Sequence, residues 1–191
     1  MIKWGISAYN HNAAIAVVED DQILFASESE RYSGIKNDSN IPENMIKEVL
    51  EYGEPDQIHW YENQLLKNIR RLYAGQKWKK LDIHPWIKRK RIRYHGHHET
   101  HARAGFYTSP FDSATVLVVD AIGEFNTTSI WHATNKHLTK FWTENYPNSL
   151  GLFYSAITHR VGLKPNEEEY ILMGMAAYGD PYKYYSHMKP L

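Results

Sequence analysis

The sequence predicts an α/β protein built from two similar halves. Three short strands followed by a helix occur twice, near residues 2–53 and again near 115–162. Each copy opens with an apolar strand that runs into a polar turn. A second observation is the apolar, β-branched run Thr115–Val119, which is typical of a strand buried on both faces. We therefore expect two halves that face each other, with both first turns pointing into one cleft.

Composition limits the class of protein. The chain has 191 residues, of which 42% are hydrophobic and 14% aromatic, and this favours a folded protein over a disordered one. The absence of cysteine excludes a disulfide framework and fits a reducing compartment. No signal-peptide pattern and no apolar run of membrane-spanning length is present. We expect a soluble, cytoplasmic protein without a membrane partner.

The first half opens with a predicted meander of three apolar strands, at Ile2–Ser7, Ala13–Val18 and Gln22–Ser27. Acidic residues at 19–21 form the turn between the last two strands. The polar turn after the first strand contains Asn10 and His11. Such a turn can place backbone N–H groups around a phosphate, although from this turn alone a plain hairpin loop is the preferred interpretation.

A loop and a helix follow the meander. The loop carries Arg31 and Lys36, which we interpret as solvated unless the fold brings them near the turn at His11. Ser39 or Asn40 is expected to cap a helix that has Pro42 in its first turn. Apolar side chains at helical spacing form its inner face: Met45, Ile46, Val49 and Leu50.

A short strand and a second amphipathic helix complete this part of the chain. The strand is predicted at Gln57–Tyr61, and the helix ends near Gly75. Apolar residues define the expected inner face of the helix: Leu65, Leu66, Ile69, Leu72 and Tyr73.

The stretch from Lys67 to Arg93 is strongly basic. It holds 11 of the 22 Lys and Arg residues, with only Asp82 to oppose them and with Trp78 and Trp86 interleaved. Basic residues alternating with aromatic residues can bind a nucleic-acid backbone and stack on bases. A solvated surface is the preferred interpretation, because no recognisable nucleic-acid module surrounds the stretch. Nucleic acid is therefore not an expected partner.

A histidine motif follows a predicted strand at 91–95. His97 and His101 are four residues apart in HHETHARAGF, so a helix places both imidazoles on one face, where one cation can take a nitrogen from each. Asp120 comes at the end of the apolar run, where open α/β sheets place their ligands. Two histidines and one carboxylate make an incomplete ligand set that suits iron, zinc or manganese. A chain with 11 histidines can also form this spacing by accident.

The second half repeats the meander. Its strands are predicted at Ala114–Val119, Thr127–His132 and Leu138–Trp142, and a helix is predicted at Tyr154–Val161. We divide the chain into a first subdomain at 1–113, which includes the histidine motif, and the incomplete start of a second subdomain at 114–191.

Three segments resemble one family of enzymes. They are GISAYNHNAAIAVVEDDQILFASESERYSGIKND, HHETHARAGFYTSPFDSATVLVVDAIGEF and YPNSLGLFYSAITHRVGLKPNEEEYILMGMAAYGDP. In order and motifs they resemble the nodulation-protein-U and cephamycin-type O-carbamoyltransferases. The resemblance covers most of the chain, and it favours a metal-binding role for the histidine pair over an accident of composition.

The resemblance implies a duplicated fold of the actin, sugar-kinase and heat-shock ATPase type, which is ribonuclease-H-like. It implies a divalent metal bound by His97, His101 and Asp120. It also implies ATP or carbamoyl-adenylate bound between the halves, and transfer of the carbamoyl group to a hydroxyl of a small-molecule acceptor. A base takes the proton of that hydroxyl, and a cation neutralises charge on the leaving group.

Further site residues follow from the same resemblance. His11 matches a histidine that serves as a base or phosphate contact, and Lys36 matches a basic residue of the family's site. Nucleotide contacts are expected from the first turn and from two loops in which glycine lets the backbone approach a phosphate. They are Asn10, Gly123, Ser149 and Gly151. For Gly123 a simple tight turn is an equal alternative.

Departures from the family pattern bear on adenylate handling. Ala121 stands in place of a glycine, Ile171 in place of a common lysine, and Glu168 in place of a glycine. Full-length members are far longer, so we expect an N-terminal part with a truncated second half that works with a separate C-terminal chain. The alternative is a non-catalytic remnant, or a nucleic-acid-binding module that uses residues 67–93.

Overall fold

The computed structural model describes residues 1–80 and 83–188, so Asp82 of the basic stretch lies outside the described residues. The described residues form eight strands: β1 Ile2–Ser7, β2 Ala14–Glu19, β3 Gln22–Glu28, β4 Gln57–Trp60, β5 Ile92–Tyr94, β6 Ser113–Val119, β7 Asn126–Thr134 and β8 Leu138–Asn145. The helices are α1 Glu30–Ser33, α2 Glu43–Glu51, α3 Gln64–Tyr73, α4 Pro85–Lys88, α5 His97–Tyr107, α6 Leu150–Arg160, α7 Glu169–Ala176 and α8 Tyr185–Met188. Along the described chain, no helix is both long and apolar enough to span a membrane.

Two sheets carry the fold. The first has the order β3-β2-β1-β4-β5, with β1, β2 and β3 antiparallel and with β4 and β5 parallel to β1. The second is the antiparallel meander β6-β7-β8. Each sheet therefore contains a three-stranded meander that is followed by a helix. The predicted α/β class and the repeated meander are confirmed.

The main core lies on one face of the first sheet. Trp4, at the centre of β1, is fully buried and stacks on Trp86 with ring centroids 4.9 Å apart. Helix α2 covers this face with the apolar stripe that its spacing predicted: Met45, Ile46 and Val49 are all buried. The expected side-chain cap from residues 39–40 is wrong, because Pro42 occupies the N-cap position and no side chain caps the helix.

The second core is small. Only Ala102 from α5, Val118 and Trp131 form its buried cluster among the described residues. The expectation that Thr115–Val119 is buried on both faces is wrong, since Leu117 is 62% and Val119 48% exposed. Helix α5 packs on one face of β6 and β7, and the other face is open. The domain division at residue 113 stays a prediction, although α5 packs against the sheet that follows it.

Two predicted helices differ from their expected form. Helix α3 is present, but its apolar residues face solvent while Asn68 and Arg70 are buried. Helix α6 begins at Leu150 instead of Tyr154, because Ser149 caps it, and α7 is a further helix that the sequence analysis did not predict. Helix α7 is apolar yet has no buried residue. Apolar surface in these helices therefore remains uncovered by the described chain.

Candidate metal centre

Helix α5 brings the two motif histidines together. Its start and length place His97 and His101 one turn apart on the same face, as the spacing predicted. The two Nε2 atoms lie 3.0 Å apart, and the rings meet edge to face with centroids 4.6 Å apart. His97 is mostly buried, whereas His101 is half exposed.

Asp120 completes a triangle of possible ligands. It follows the last residue of β6, and its Oδ2 lies 2.7 Å from His97 Nε2 and 3.9 Å from His101 Nε2. One ligand atom from each residue lies within 4.8 Å of the others. A circle through the three atoms has a radius of about 2 Å, which is close to the bond length from a metal to a histidine nitrogen or a carboxylate oxygen. The donor set therefore fits a divalent cation.

The electrostatics favour an ionised Asp120 and a neutral His101. Burial alone would raise the pKa of Asp120, but the hydrogen bond and charge of His97 and the backbone N–H of Ala121 lower that pKa to about 2. Burial lowers the pKa of His101, and nearby His97 lowers it further. A carboxylate and a neutral imidazole are the forms that bind a cation without first losing a proton.

An open cavity borders the triad. It has a volume of about 260 Å³ and is lined by His101, Gly105, Asp120 and the strand β6. Three protein ligands leave coordination positions for water or substrate. The cavity gives a small molecule access to these positions from one side.

Glu124 connects the triad to the first sheet, and the sequence analysis did not identify it. This carboxylate is buried and accepts hydrogen bonds from the backbone N–H of His97 at 3.0 and 3.1 Å and of Asn63 at 2.6 Å. Gly96 precedes α5 and offers no side chain to cap it. Glu124 therefore caps the histidine helix from a distant part of the chain. The only sequence feature that could have pointed to Glu124 is its position four residues after Asp120, in the same turn.

His98 fixes the opposite side of the helix. It is 2% exposed, and its Nδ1 lies 2.7 Å from the Ser129 hydroxyl, which also accepts from the indole N–H of Trp131. Burial lowers the pKa of His98 to about 4. The sequence did carry a signal for this role, because residues 98, 102 and 106 are four apart and form the buried stripe of α5.

The residues expected to contact a nucleotide in the second half lie around Asp120. A Cβ on Gly123 would come within 3.0 to 3.2 Å of the His97 and His98 side chains, so glycine here lets the histidine helix approach without displacing these side chains. A Cβ on Gly151 would lie 2.5 Å from the backbone of Ala121. Both glycines thus serve close packing at the triad, and their nucleotide role stays a prediction.

Ser149 ties the start of α6 to the same turn. Its hydroxyl accepts from the Leu152 N–H and lies 2.6 Å from the carbonyl oxygen of Ala121. The N-terminus of α6 is therefore held beside the segment that follows Asp120. Free N–H groups and the helix dipole make such a terminus suited to an anion such as a phosphate.

The first turn and the following loop form a separate group. Backbone hydrogen bonds join Asn12 to Asn37 and Ala13 to Asp38, so the loop with Lys36 does lie beside the turn with His11. His11 hydrogen bonds with Asn12, and Lys36 pairs with Glu30 at 3.2 Å. Asn10 is exposed in the same turn. Within residues 1–80 and 83–188, no hydrogen bond or ring contact links this group to the metal triad.

Much of the basic stretch is used in contacts within the chain. Lys67 pairs with the buried Glu62 at 2.8 Å, and Lys90 pairs with Glu54 at 2.6 Å. Trp86 is stacked on Trp4 of the core, and Arg70 is buried. These residues are consequently less available to a nucleic acid than their number in the sequence indicates.

Comparison with known proteins assigns the family. The family model described as the carbamoyltransferase N-terminus matches residues 60–188, which include α5, the metal triad and Glu124. The chain belongs to the carbamoyltransferase family. The resemblance in the three quoted segments is thereby confirmed at the level of the family.

Relatives of the chain come from bacteria and archaea. The chain is 36% identical to the protein sll1178 of Synechocystis over 93% of its length, and 30% identical to MJ1051 of Methanocaldococcus jannaschii over 88%. It is 26% identical to the nodulation protein NolNO of Sinorhizobium fredii over 92%. The matched regions cover 34%, 32% and 29% of those proteins, so the chain spans about a third of the length of these relatives.

A solved structure of an N-acetylmannosamine kinase-like protein from Listeria monocytogenes also matches. It is similar over 94% of this chain and 72% of its own, with a TM-score of 0.43 and 12% identity. At this level of similarity the α/β class rests on the strands and helices of the chain itself.

Proposed function

We propose that this chain forms the N-terminal part of an ATP-dependent O-carbamoyltransferase, which moves a carbamoyl group from carbamoyl-adenylate to an acceptor hydroxyl. Family membership supports the reaction class. The observation that carries the proposal is the triangle of His97, His101 and Asp120 beside an open cavity. The proposed use of ATP supports a cytoplasmic location for the proposed reaction.

In the proposed reaction the acceptor oxygen attacks the carbamoyl carbonyl carbon. A C–O bond forms to the acceptor, the bond from that carbon to the adenylate phosphate breaks, and AMP leaves with the electron pair. His11 takes the hydroxyl proton as general base, and Lys36 lies in the neighbouring loop to stabilise negative charge. Nothing is oxidised or reduced.

A divalent cation held by His97, His101 and Asp120 would neutralise charge on the phosphate and the developing oxyanion. Asp120 stays ionised at neutral pH, because its pKa is about 2. Ser149 and Gly151 hold the N-terminus of α6 against the Asp120 turn, where its N–H groups suit a phosphate. Asn10 is proposed to contact the nucleotide from the first turn.

Completion of the site is proposed to require further chain. The relatives are about three times as long as the matched region, and much apolar surface of α6 and α7 is exposed. A C-terminal chain is therefore the proposed partner, and it would supply the second wall of the nucleotide cleft. The acceptor is proposed to be a small molecule with a free hydroxyl.

Cobalt titration of the isolated chain tests the metal site. Co²⁺ bound by two histidines and a carboxylate gives visible absorption bands, and we expect one ion per chain. His101→Ala should weaken binding at least 100-fold with an unchanged circular-dichroism spectrum, because His101 is half exposed and its loss leaves no large cavity. His137→Ala is the matched control, since His137 lies in the exposed turn before β8. Equal binding by both variants would contradict the site.

A transfer assay tests the reaction. The chain, a C-terminal chain and carbamoyl-adenylate are mixed with a hydroxyl acceptor, and the carbamoylated product is measured by mass spectrometry. We expect turnover only with both chains and loss of most of it in His11→Ala. Turnover by the 191-residue chain alone would contradict the need for a partner.

A further inference from the structure

One face of the first sheet is lined by small residues and is open. The strand register places Ala26, Ala16 and Gly5 side by side across β3, β2 and β1, and His59 and Arg93 continue the row on β4 and β5. The face lies opposite the one covered by α2. A groove of about 610 Å³ runs over it. Nothing in residues 1–80 and 83–188 fills this groove.

Gly5 indicates what the groove accommodates. A Cβ built on Gly5 meets no atom within 4 Å, in contrast with Gly151, whose Cβ would strike the backbone of Ala121. Packing within the described chain therefore gives no reason for a glycine in the central strand, where glycine weakens a sheet. A glycine in such a place often marks close approach by a ligand or by another backbone. Ala16 and Ala26, beside Gly5 in the row, also have short side chains, so the surface stays open to a closely packed element.

This face carries positive charge towards its β5 end. Arg93 ends the row on β5, and Lys3 lies on β1 two residues before Gly5. Both side chains are exposed, and neither forms an ion pair within the described part of the chain. Both lie close enough to His59 to lower the pKa of its imidazole, after the larger effects of burial and of His95. An element that covers the face would therefore be stabilised by an acidic side chain at this end.

We propose that a helix from the C-terminal two-thirds of a family chain packs on this face. Its backbone would lie close to Gly5, Ala16 and Ala26, and an acidic residue would meet Lys3 and Arg93. A helix of about 10 to 12 residues matches the length of these strands. The relatives contain twice as much further sequence as the region that this chain matches, which supplies the occupant. The inference rests on the proposed function only for the existence of that C-terminal part.

Substitution at the row separates docking from folding. Gly5→Val and Ala16→Leu are compared with Glu51→Leu, which adds an apolar side chain on the exposed surface of α2, across the same sheet. The melting temperature of each isolated chain is measured first. Neither Gly5→Val nor Ala16→Leu should lower it by more than a few degrees, because both new side chains enter open space and valine favours a strand.

Association is then measured with a defined probe, the C-terminal two-thirds of the Synechocystis relative expressed as a separate chain. Light scattering after gel filtration should show a one-to-one complex with the wild-type chain and with Glu51→Leu. Gly5→Val and Ala16→Leu should weaken it at least tenfold. Arg93→Glu should weaken it too, and added salt should reduce the difference between Arg93→Glu and wild type.

Three outcomes would overturn the inference. They are the absence of a wild-type complex, equal affinity of Ala16→Leu and wild type, and a homodimer of this chain that Gly5→Val disrupts, which would make a second copy the occupant. Cobalt binding by the isolated chain is scored in parallel. Failure of the docking therefore remains distinguishable from failure of the metal site.

Discussion

The two sheets bury very different amounts of apolar surface within this chain. Among the described residues, fourteen buried apolar residues form the cluster on the first sheet, whereas three form the cluster on the second. Both sheets begin with the same antiparallel meander, so the difference does not come from strand pairing. The difference comes from the helices that cover each sheet. Helices α2 and α4 pack on the first sheet, whereas one face of β6 and β8 in the second sheet is exposed.

The metal triad lies where these unequal parts meet. His97 and His101 are on the helix that packs against the weaker sheet, and Asp120 is at the end of its edge strand. Glu124 joins the triad to the loop after β4 of the stronger sheet. The unequal packing of the two sheets shows that the geometry of the metal triad depends on a few hydrogen bonds, such as those of Glu124, as much as on the hydrophobic core.

The largest expected effect compares the same substitution in both clusters. Trp4→Ala should lower the free energy of unfolding by about 3–5 kcal/mol, because a fully buried indole is removed from a dense core. Trp131→Ala should cost less than half as much, since Trp131 has few buried neighbours. Urea unfolding combined with hydrogen exchange measures both. Equal losses would show that the second sheet is as well packed as the first.

A second prediction uses the pKa of His98. This pKa is about 4 in the folded chain and near 6.5 in the unfolded chain, so only the unfolded chain takes up a proton between these values. The free energy of unfolding should stay level above pH 6.5 and fall by up to about 3 kcal/mol as the pH drops to 4. Urea titrations at several pH values measure the slope.

His98→Asn is the control for this slope. It removes the titrating group and keeps a polar side chain near Ser129. The difference between the wild-type and variant curves isolates His98 from the other histidines whose pKa is lowered, His59, His95 and His101. Parallel curves would mean that the proton uptake comes from elsewhere.

Local spacing was enough to predict the part of the site that one helix and one strand provide. The four-residue interval fixed His97 and His101 on one face, and an acid after an apolar run identified Asp120. Glu124 could not be identified this way, because it binds the backbone N–H groups of His97 and Asn63. These residues lie 27 and 61 positions before it in the sequence. A backbone donor leaves no trace in the side-chain pattern.

The same limit applies to the fold. Strand and helix positions were predictable from periodicity, but the direction that an apolar face points depends on what covers it. The apolar residues of α3 predicted an inner face, yet Leu65 and Leu72 are exposed. Thr115–Val119 has the composition of a doubly buried strand, and the described chain covers only one side of it.

A third prediction tests the link that Glu124 makes between the two parts. Glu124→Ala removes the acceptor for the backbone N–H groups of His97 and Asn63, so the start of α5 loses its cap and its tie to the first sheet. We expect cobalt affinity to fall about 10-fold to 100-fold, in the range seen for residues that orient metal ligands. Glu124→Gln should retain part of the affinity. An unchanged cobalt affinity in Glu124→Ala would show that Glu124 does not orient the metal ligands.

The smallest expected effect comes from removing the helix caps Asn63, which follows β4 of the first sheet, and Ser149, which follows β8 of the second. Asn63 caps α3 by accepting from Leu65 and Leu66, and Ser149 caps α6 by accepting from Leu152. Each change to alanine should lower the free energy of unfolding by about 1 kcal/mol, since the N–H groups at the start of the helix lose their side-chain acceptor.

Cobalt affinity should separate the two caps. The Ser149 hydroxyl also donates to the carbonyl of Ala121, next to Asp120, so Ser149→Ala should weaken cobalt binding as well. The Asn63 side chain caps α3 alone, and the bond of residue 63 to Glu124 uses its backbone N–H, which alanine retains. Asn63→Ala should therefore lower stability without changing cobalt affinity. If both variants lowered affinity equally, the effect would follow from general loosening of the chain, and Ser149 would have no particular role in holding the Asp120 turn.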